Sequence, residues 1–452
     1  APPRLALAEA TPAEAKKEAA AKVRYNLRQL VAMARRSYPG VAAARHAVEM
    51  MEAKLYRAKW AWVPQGHVKG LVAPAPEVRC MPSEAQCIET TAHELNSLDI
   101  AGVFLRIEVE MGMPLYTFDK IGSAKRAAEA GVALRRSQVA TREDKLALDV
   151  SRAYWGLKLA REIIYTIDEG RDHLVKAKEK VEEQIDSGEG EATMEDLHKL
   201  NLAFVEVDGR RLDAKKLERY TLAALATLTG QRGRPFDVDT KYLDVLPGKL
   251  LEARVYKDLA QQHRPDISSL KALLRAADAQ VDLEKAQFYP NFLLVATAGA
   301  GYTSSVDDPN NAFYSDPFNF LGAGFGLALS WKWDQVQQYG RFKEAKAQRS
   351  MARAKKEEAM AGIDLELEKA LMDLKGAQDQ LALMDKGAKI GRKWLTTVSQ
   401  NMAVGLASTE DFKDGLTAFF TYELKRLQAT YEVNVAWADL GRIIGIHAPR
   451  TP

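Results

Sequence analysis

The chain has 452 residues and a nearly balanced charge, because 64 lysines and arginines stand against 61 aspartates and glutamates, for a net charge of +3. This balance does not indicate a surface dedicated to nucleic acid. Mean hydropathy is −0.28, and no apolar run reaches the ~18 to 20 residues that a membrane-spanning helix requires. The sequence therefore predicts no transmembrane helix.

Features of the first half of the chain recur in the second half. The step from Pro39 to Pro64 is 25 residues, and the step from Pro265 to Pro290 is also 25 residues. Each step covers a helical segment that ends before its second proline. Order and spacing recur further along the chain as well, so we predict two copies of one structural unit.

The repeat divides the chain into five parts. Residues 1–24 are an N-terminal arm for which helix and disorder both stay open. Residues 25–230 form repeat 1 and residues 253–445 form repeat 2, with a linker or equatorial segment at 231–252 between them. Residues 446–452 are a C-terminal tail.

Each repeat is predicted to contain one pair of strands. The pairs lie at about 65–74 and 100–117 in repeat 1, and at 291–302 and 319–333 in repeat 2. Over 101–115 every odd position is apolar, and the even positions are mostly polar or small. This period of two indicates strands with one apolar face.

Helices make up the rest of each repeat. Long helical hairpins are predicted over 118–230 and 334–445. The first helix of each hairpin has roughly 70 residues, or about 100 Å at ~1.5 Å per residue. One shorter helix is predicted before each strand pair, over 26–62 and 253–288.

Strands with one apolar face can pack on a soluble core or face lipid. Aromatic residues cluster at the four equivalent places where strand meets helix, as they do at membrane interfaces. The strand lengths also suit the ~9 to 11 tilted residues that cross a bilayer. We therefore predict a membrane-interface girdle of Trp60, Trp62, Tyr116, Phe118, Phe288, Tyr289, Trp331 and Trp333.

Four strands are too few to close a barrel, and hydrocarbon does not tolerate an open sheet edge. Three copies would bring twelve strands together, which is enough for a barrel with a lumen. We therefore predict a homotrimer in which the small and polar strand faces line water.

The two cysteines of the chain, Cys80 and Cys87, lie close together in a proline-rich loop. This placement suits a local disulfide in an oxidising compartment. Two free thiols are the alternative.

The sequence offers no set of residues for catalysis. Its seven histidines form no ligand pair at the spacing of a metal site. Gly322, Gly324 and Gly326 lie within a strand rather than at the strand-to-helix turn where a phosphate would bind. We expect no enzyme activity, no cofactor and no metal site.

The chain from about Tyr25 to Gly445 resembles the TolC-like outer-membrane efflux proteins, also called outer-membrane factors. The resemblance rests on the order and duplication of weak motifs, which include the paired prolines, two strand-to-helix transitions and one hairpin tip. The strand-to-helix transitions are Phe118-Asp119 and Trp333-Asp334, and the hairpin tip is Val404-Gly405-Leu406.

This resemblance implies an α+β membrane protein: a trimeric twelve-stranded β-barrel with four strands per protomer, continued by a long α-helical barrel and built from two internal repeats. It implies an outer-membrane channel, the exit duct of a tripartite efflux or type I secretion system. The duct would passively conduct substrates from a periplasmic pump–adaptor complex to the exterior. The implied partners are a periplasmic adaptor (membrane fusion) protein, an inner-membrane pump and outer-membrane lipid, with no nucleic acid. The implied location is the bacterial outer membrane, extending into the periplasm.

The resemblance also implies a channel gate. The family's selectivity ring falls on Asp411 and Asp414, and Asp196 is available as a partner in a closed state. Plain helix capping is the alternative role for Asp411, and an exposed helical charge is the alternative for Asp414. Lys199 departs from the repeat, because it stands where repeat 2 has Asp414. The implied adaptor-contacting tips are Gly190, Glu191, Ala192, Thr193, Val404, Gly405, Leu406, Ala407 and Ser408.

A soluble periplasmic coiled-coil scaffold or adaptor, whose four strands form a small domain, is the alternative function. The two hypotheses differ in what covers the aromatic-bounded strands, which is lipid in the channel and protein in the scaffold.

Overall fold

The structure is a computed structural model that describes residues 23–80, 100–188, 192–240, 242–307 and 316–446. The chain divides into two compact units. The helical unit comprises Ala1–Val48, Leu134–Leu270 and Lys356–Pro452, and the sheet unit comprises Glu49–Ala133 and Lys271–Lys355.

The described residues form strands and helices in an order that recurs in the two halves of the chain. The strands are β1 (Val23–Tyr25), β2 (Gln65–Pro76), β3 (Ile100–Tyr116), β4 (Phe236–Val238), β5 (Asn291–Tyr302) and β6 (Phe320–Ser330). The helices are α1 (Leu27–Ser37), α2 (Pro39–Lys59), α3 (Lys120–Ser187), α4 (Met194–Thr229), α5 (Ala253–His263), α6 (Pro265–Ala286), α7 (Gln335–Ala403) and α8 (Thr409–Ile444). None of the helices in these ranges combines the length and the apolar character needed to cross a membrane.

Each predicted short helix is in fact a pair of helices. The interruption lies at Tyr38 between α1 and α2, and at Arg264 between α5 and α6. Both residues have a ψ of 121°, because each precedes a proline whose ring disfavours the helical region for its predecessor. The prediction of one uninterrupted helix before each strand pair was therefore wrong.

The sheet unit contains a four-stranded antiparallel sheet with the strand order β2-β3-β5-β6. Its two central strands come from different halves of the chain. Val109 of β3 lies opposite Val68 of β2 and Ala298 of β5, and Ala298 lies opposite Ala323 of β6. Within the described residues, β2 and β6 are edge strands, each paired along one side.

One face of this sheet is apolar and uncovered in the single chain. Opposite residues of neighbouring strands share a face, so the face that carries Val109 also carries Leu321, Phe325 and Leu327 of β6. These three side chains are 89%, 87% and 80% exposed. Nothing in the described part of the chain covers them.

The other face of the sheet carries small and polar side chains. Thr297 of β5 lies opposite Glu110 of β3 and Gly324 of β6. His67 Nε2 lies 3.2 Å from Glu110 Oε2 on the same face. The two faces therefore differ in chemistry as the alternating sequence predicted.

Three clusters of buried apolar side chains hold the helical unit together. One cluster contains Leu157 of α3 and Leu427 of α8. A second contains Leu174 of α3 and Leu395 of α7, together with side chains from α4 and α8. The two helical hairpins therefore pack on each other within one chain.

The second helices of the two hairpins begin and end alike. Thr193 and Ser408 are their N-caps, each with a capping box. Gly230 and Gly445 follow their last turns with φ values of 71° and 73°, a left-handed conformation that glycine adopts without a Cβ penalty.

Candidate functional site

The aromatic residues predicted as a girdle all belong to the sheet unit, where several of them contact one another. Phe118 stacks on Tyr289 with ring centroids 4.9 Å apart, and Tyr116 meets the edge of Phe118 at 4.7 Å. Phe118 has a φ of 49°, which is uncommon outside glycine. This strand-to-helix corner joins aromatic residues from the two halves of the chain.

The remaining girdle residues are also paired, as Trp60 with Trp62 at 6.0 Å and Trp331 with Trp333 at 4.6 Å. Phe288 packs instead on Phe342 of α7, with centroids 6.0 Å apart. Both Trp62 and Trp333 are exposed. Amphipathic indole rings at the ends of an uncovered apolar sheet are typical of a membrane interface.

At the first hairpin tip, Asp196 forms the capping box of α4 with Thr193. Its Oδ2 accepts hydrogen bonds from Thr193 Oγ1 at 2.7 Å and from Thr193 N at 3.1 Å. The hydroxyl of Thr409, at the start of α8, lies near enough to lower the pKa of the Asp196 carboxyl as well. The pKa of Asp196 is lowered, first by the Thr193 hydroxyl and then by the backbone N–H, Lys199 and Thr409.

At the second tip, Asp411 has the corresponding place in α8. Its Oδ2 accepts hydrogen bonds from Ser408 Oγ at 2.6 Å and from Ser408 N at 3.1 Å. These bonds lower the pKa of the Asp411 carboxyl, the hydroxyl being the larger cause. The alternative role of Asp411 as a capping residue therefore has direct geometric support.

Asp414 is exposed like Asp411, but it differs from Asp411 because its carboxylate has no hydrogen bond or ion pair within the described residues. Its counterpart Lys199 lies 3.0 Å from Glu195. That hydrogen bond raises the pKa of Lys199, and the charge of Glu410 across the interface between the tips adds to the effect. The contacts of Thr409 and Glu410 with the first tip were not predicted from the sequence, since no motif marks them.

The second tip also presents apolar side chains to solvent. Val404 and Leu406 are 68% and 79% exposed, and they flank Gly405, whose φ is 76°. Ala192 and Ala407 pack instead against the second apolar cluster. The predicted tip residues Gly190 and Glu191 lie outside the described residues.

Several apolar side chains of α7 and α4 are exposed, although the residues at the corresponding positions of the other repeat are buried. Ser408 follows Thr193 by 215 residues, and the same spacing relates Val150 and Leu157 of α3 to Leu365 and Met372 of α7. Val150 and Leu157 are fully buried, whereas Leu365 and Met372 are 68% and 69% exposed.

The same reversal occurs in the second helix of each hairpin. Phe420 and Leu427 of α8 are buried, whereas Val205 and Leu212 of α4 are exposed. The ring of Phe420 packs so closely on Gly170 of α3 that no Cβ would fit there.

One of the two cysteines lies in the described part of the chain. Cys80 is disulfide-bonded, and Cys87, the other half of the predicted pair, lies outside the described residues. No cluster of histidine, cysteine and acidic side chains in the described ranges could hold a metal ion.

Comparison with known proteins agrees with this architecture. The sequence profile of the family described as "Outer membrane efflux protein" matches residues 257–446. The pyoverdine export outer membrane protein OpmQ of Pseudomonas aeruginosa is 25% identical over 230 residues, which are 46% of this chain and 44% of OpmQ. The chain thus matches less than half the length of this relative.

Solved structures are similar over nearly the whole chain. CusC superimposes with a TM-score of 0.75 at 16% identity, covering 94% of this chain and 93% of CusC. The open state of the MtrE outer membrane channel of Neisseria gonorrhoeae gives a TM-score of 0.73 at 16% identity, covering 93% of this chain and 89% of MtrE. At this identity the likeness concerns the fold. By their names, these proteins are an exporter and channels. Residues 257–446 are therefore similar to the outer membrane efflux protein family, as the sequence resemblance predicted, and the outer-membrane location predicted for the chain agrees with that of the curated relatives.

Proposed function

We propose that the protein is a passive outer-membrane channel, the exit duct of a tripartite efflux or type I secretion system. The duct would receive substrates from an inner-membrane pump and a periplasmic adaptor protein and would release them to the exterior. The observation that carries this proposal is the four-stranded sheet, which has one apolar, uncovered face, one small and polar face, and aromatic residues where its strands meet helices. No catalytic role is proposed for any residue.

The edges of the sheet support assembly from several copies. Within the described residues, β2 and β6 each offer an unpaired edge, and an open edge in hydrocarbon leaves backbone groups without hydrogen bonds. If β6 of one protomer pairs with β2 of the next, three protomers close a twelve-stranded barrel. The polar face with Thr297 and Glu110 would then line the lumen, and the apolar face would meet lipid.

The two helical repeats support the same assembly. Within one chain, Leu157 of α3 and Leu427 of α8 are buried in the same apolar cluster. Their counterparts in the other repeat, Met372 of α7 and Leu212 of α4, are exposed. Apolar surface of this kind is typical of an interface. We propose that α7 of one protomer packs on α4 of the next, in the way that α3 packs on α8 within the chain.

This interface predicts a specific contact between copies. The counterparts of Gly170 and Phe420, which touch within the chain, are Asp385 of α7 and Val205 of α4. Cysteines at both positions, Val205→Cys with Asp385→Cys, should form disulfides that link the three copies. Each single cysteine variant is the control. Cross-linking confined to single chains, or none at all, would refute the proposed packing.

The tips are proposed as the gate and the adaptor contact. Three copies would place three Asp414 carboxylates around one entrance, where they would attract cations. Asp411 would add charge to this ring while it caps α8. The exposed Val404 and Leu406 offer an apolar surface on which the adaptor would dock.

The channel and the soluble scaffold differ in solubility and conductance. We expect the protein to leave membranes only with detergent, to purify as a trimer and to conduct ions across a planar lipid bilayer. A monodisperse monomer that is soluble without detergent would refute the channel and favour the scaffold.

A further inference from the structure

The helical unit contains a cavity of about 580 Å³ for which the proposed channel has no use. It lies between α1, the middle of α3, the segment 246–249 and the end of α8. Its size is in the range of pockets that hold small ligands. Trp437 forms one wall, where a Cβ added to Gly248 would lie 2.5 Å from Trp437 Cζ2.

The cavity walls contain buried hydrogen-bond donors that have no acceptor among the residues that the structure describes. Trp155 and Trp437 line the cavity, and neither indole N–H has a hydrogen-bond partner. Arg35 also lines it, and its Nε and Nη2 atoms are buried without a partner. A buried donor without an acceptor is costly, so these four N–H-bearing atoms favour a ligand that supplies acceptors.

The charge of the walls narrows the class of ligand. The described lining residues include the cations Arg28, Arg35, Lys249 and Arg442 against one carboxylate, Asp144. Arg442 is already bound to Glu366 and Asp439, and Arg28 has an interaction of its own, so Arg35 is the lining arginine whose buried N–H groups lack a partner among the described residues. Most other lining residues are aliphatic or aromatic.

We propose that this cavity is a binding site for an amphipathic anion, a carboxylate with a medium-length alkyl chain. The carboxylate would accept hydrogen bonds from Arg35 and the two indoles, and the alkyl chain would lie against the apolar walls. This inference does not depend on the channel function, because it concerns the helical unit alone.

Native mass spectrometry of the purified full chain in a nonionic detergent tests the proposal with three probes of equal chain length. These are dodecanoate, dodecanol and dodecyltrimethylammonium. We expect one dodecanoate per protomer, with saturation, and no specific adduct of the other two. Equal binding of dodecanol, or no dodecanoate adduct, would overturn the proposal. Equal binding would mean a merely apolar groove, and no adduct would mean a cavity closed by protein.

Two variants locate the bound carboxylate. Arg35→Gln should weaken dodecanoate binding at least tenfold, whereas Arg36→Gln, which changes the exposed neighbouring arginine outside the cavity lining, should leave it unchanged. Trp437→Phe keeps an aromatic ring but removes the N–H, and it should weaken binding severalfold. Unchanged binding in both Arg35→Gln and Trp437→Phe would overturn the site even if the wild-type chain binds dodecanoate. The masses in the same spectra report whether each variant keeps its assembly.

Discussion

Two adjacent residues of β5 allow the proposed orientation of the sheet to be tested. Ala298 lies on the apolar face, opposite Val109 and Ala323, whereas Thr297 lies on the polar face, opposite Glu110 and Gly324. Both are exposed and both lie near the middle of the strand. Replacing either residue with lysine therefore puts the same charge at nearly the same depth, on opposite sides of one sheet.

The expected difference between the two variants can be estimated from the register. A lysine on the lipid face of a membrane barrel costs about 2 to 4 kcal/mol near the middle of the bilayer. A lysine at 297 would instead face lumen water and lie opposite Glu110, and an opposite-charge cross-strand pair contributes about 0.2 to 1 kcal/mol. Ala298→Lys should therefore be less stable than Thr297→Lys by at least about 2 kcal/mol, which is roughly thirtyfold in the folding equilibrium.

The assay is refolding from urea into lipid vesicles, followed by protease protection and by the yield of conducting channels. Ala298→Leu is the control for a bulky but apolar side chain, and it should insert like the wild type. Equal losses for the two lysine variants would contradict the assignment of faces, and a larger loss for Thr297→Lys would reverse it. Retained solubility and folding of Ala298→Lys without lipid would point to the scaffold instead.

Three further predictions concern the helices and their tips. Gly170→Ala should lower the free energy of unfolding by about 1 to 3 kcal/mol, since the added Cβ would overlap an aromatic ring of α8. In the same denaturation series Gly340→Ala, at an exposed and open site in α7, should instead stabilise by up to ~1 kcal/mol. Asp414→Asn should reduce block of the channel by divalent cations in planar bilayers, whereas Glu410→Gln should change it less; equal effects would remove Asp414 from the gate. Because the pKa of Asp411 is lowered in the folded protein, its stabilising effect is complete above the unfolded-chain pKa of about 3.9 and is lost as the pH falls through the lower folded value. Protection from hydrogen exchange in the first turn of α8, measured against the intrinsic rate at the same pH, should therefore fall in strong acid. Asp411→Ala should show low protection at every pH, and the absence of this difference would contradict the capping role.

Much of the fold could be predicted because it depends on local patterns. Alternation located the strands, and the N-caps Thr193 and Ser408 located the starts of α4 and α8, since a short polar side chain satisfies the first backbone N–H groups. The interruptions at Tyr38 and Arg264 were missed although the signal was present. Pro39 and Pro265 begin the second helix of each pair, and a proline also disfavours the helical conformation for the residue that precedes it.

The candidate site was less predictable because it depends on contacts between distant segments. The sequence placed Asp196, Asp411 and Asp414 near the tips, but it could not show that Thr409 of the other hairpin lowers the pKa of Asp196 while Asp414 has no partner in the described residues. The cavity beside Arg35 was also missed. Its walls come from four separated segments, and a buried donor without an acceptor is visible only once those segments are packed.

The two tips are unequal in a way that bears on where the assembly would open. Within one chain, the Thr409 hydroxyl lies near Asp196 and lowers the pKa of its carboxyl. Between copies, the same geometry would bring Asp411 against Met194, the residue 215 positions before Thr409, and methionine has no hydroxyl to donate. The charges follow the same trend, because Lys199 faces Glu410 within the chain, whereas Asp414 would face a glutamate, Glu195, between copies. Unpaired carboxylates repel, so we expect the contact between copies to be the weaker one and the tips to separate there rather than within a protomer.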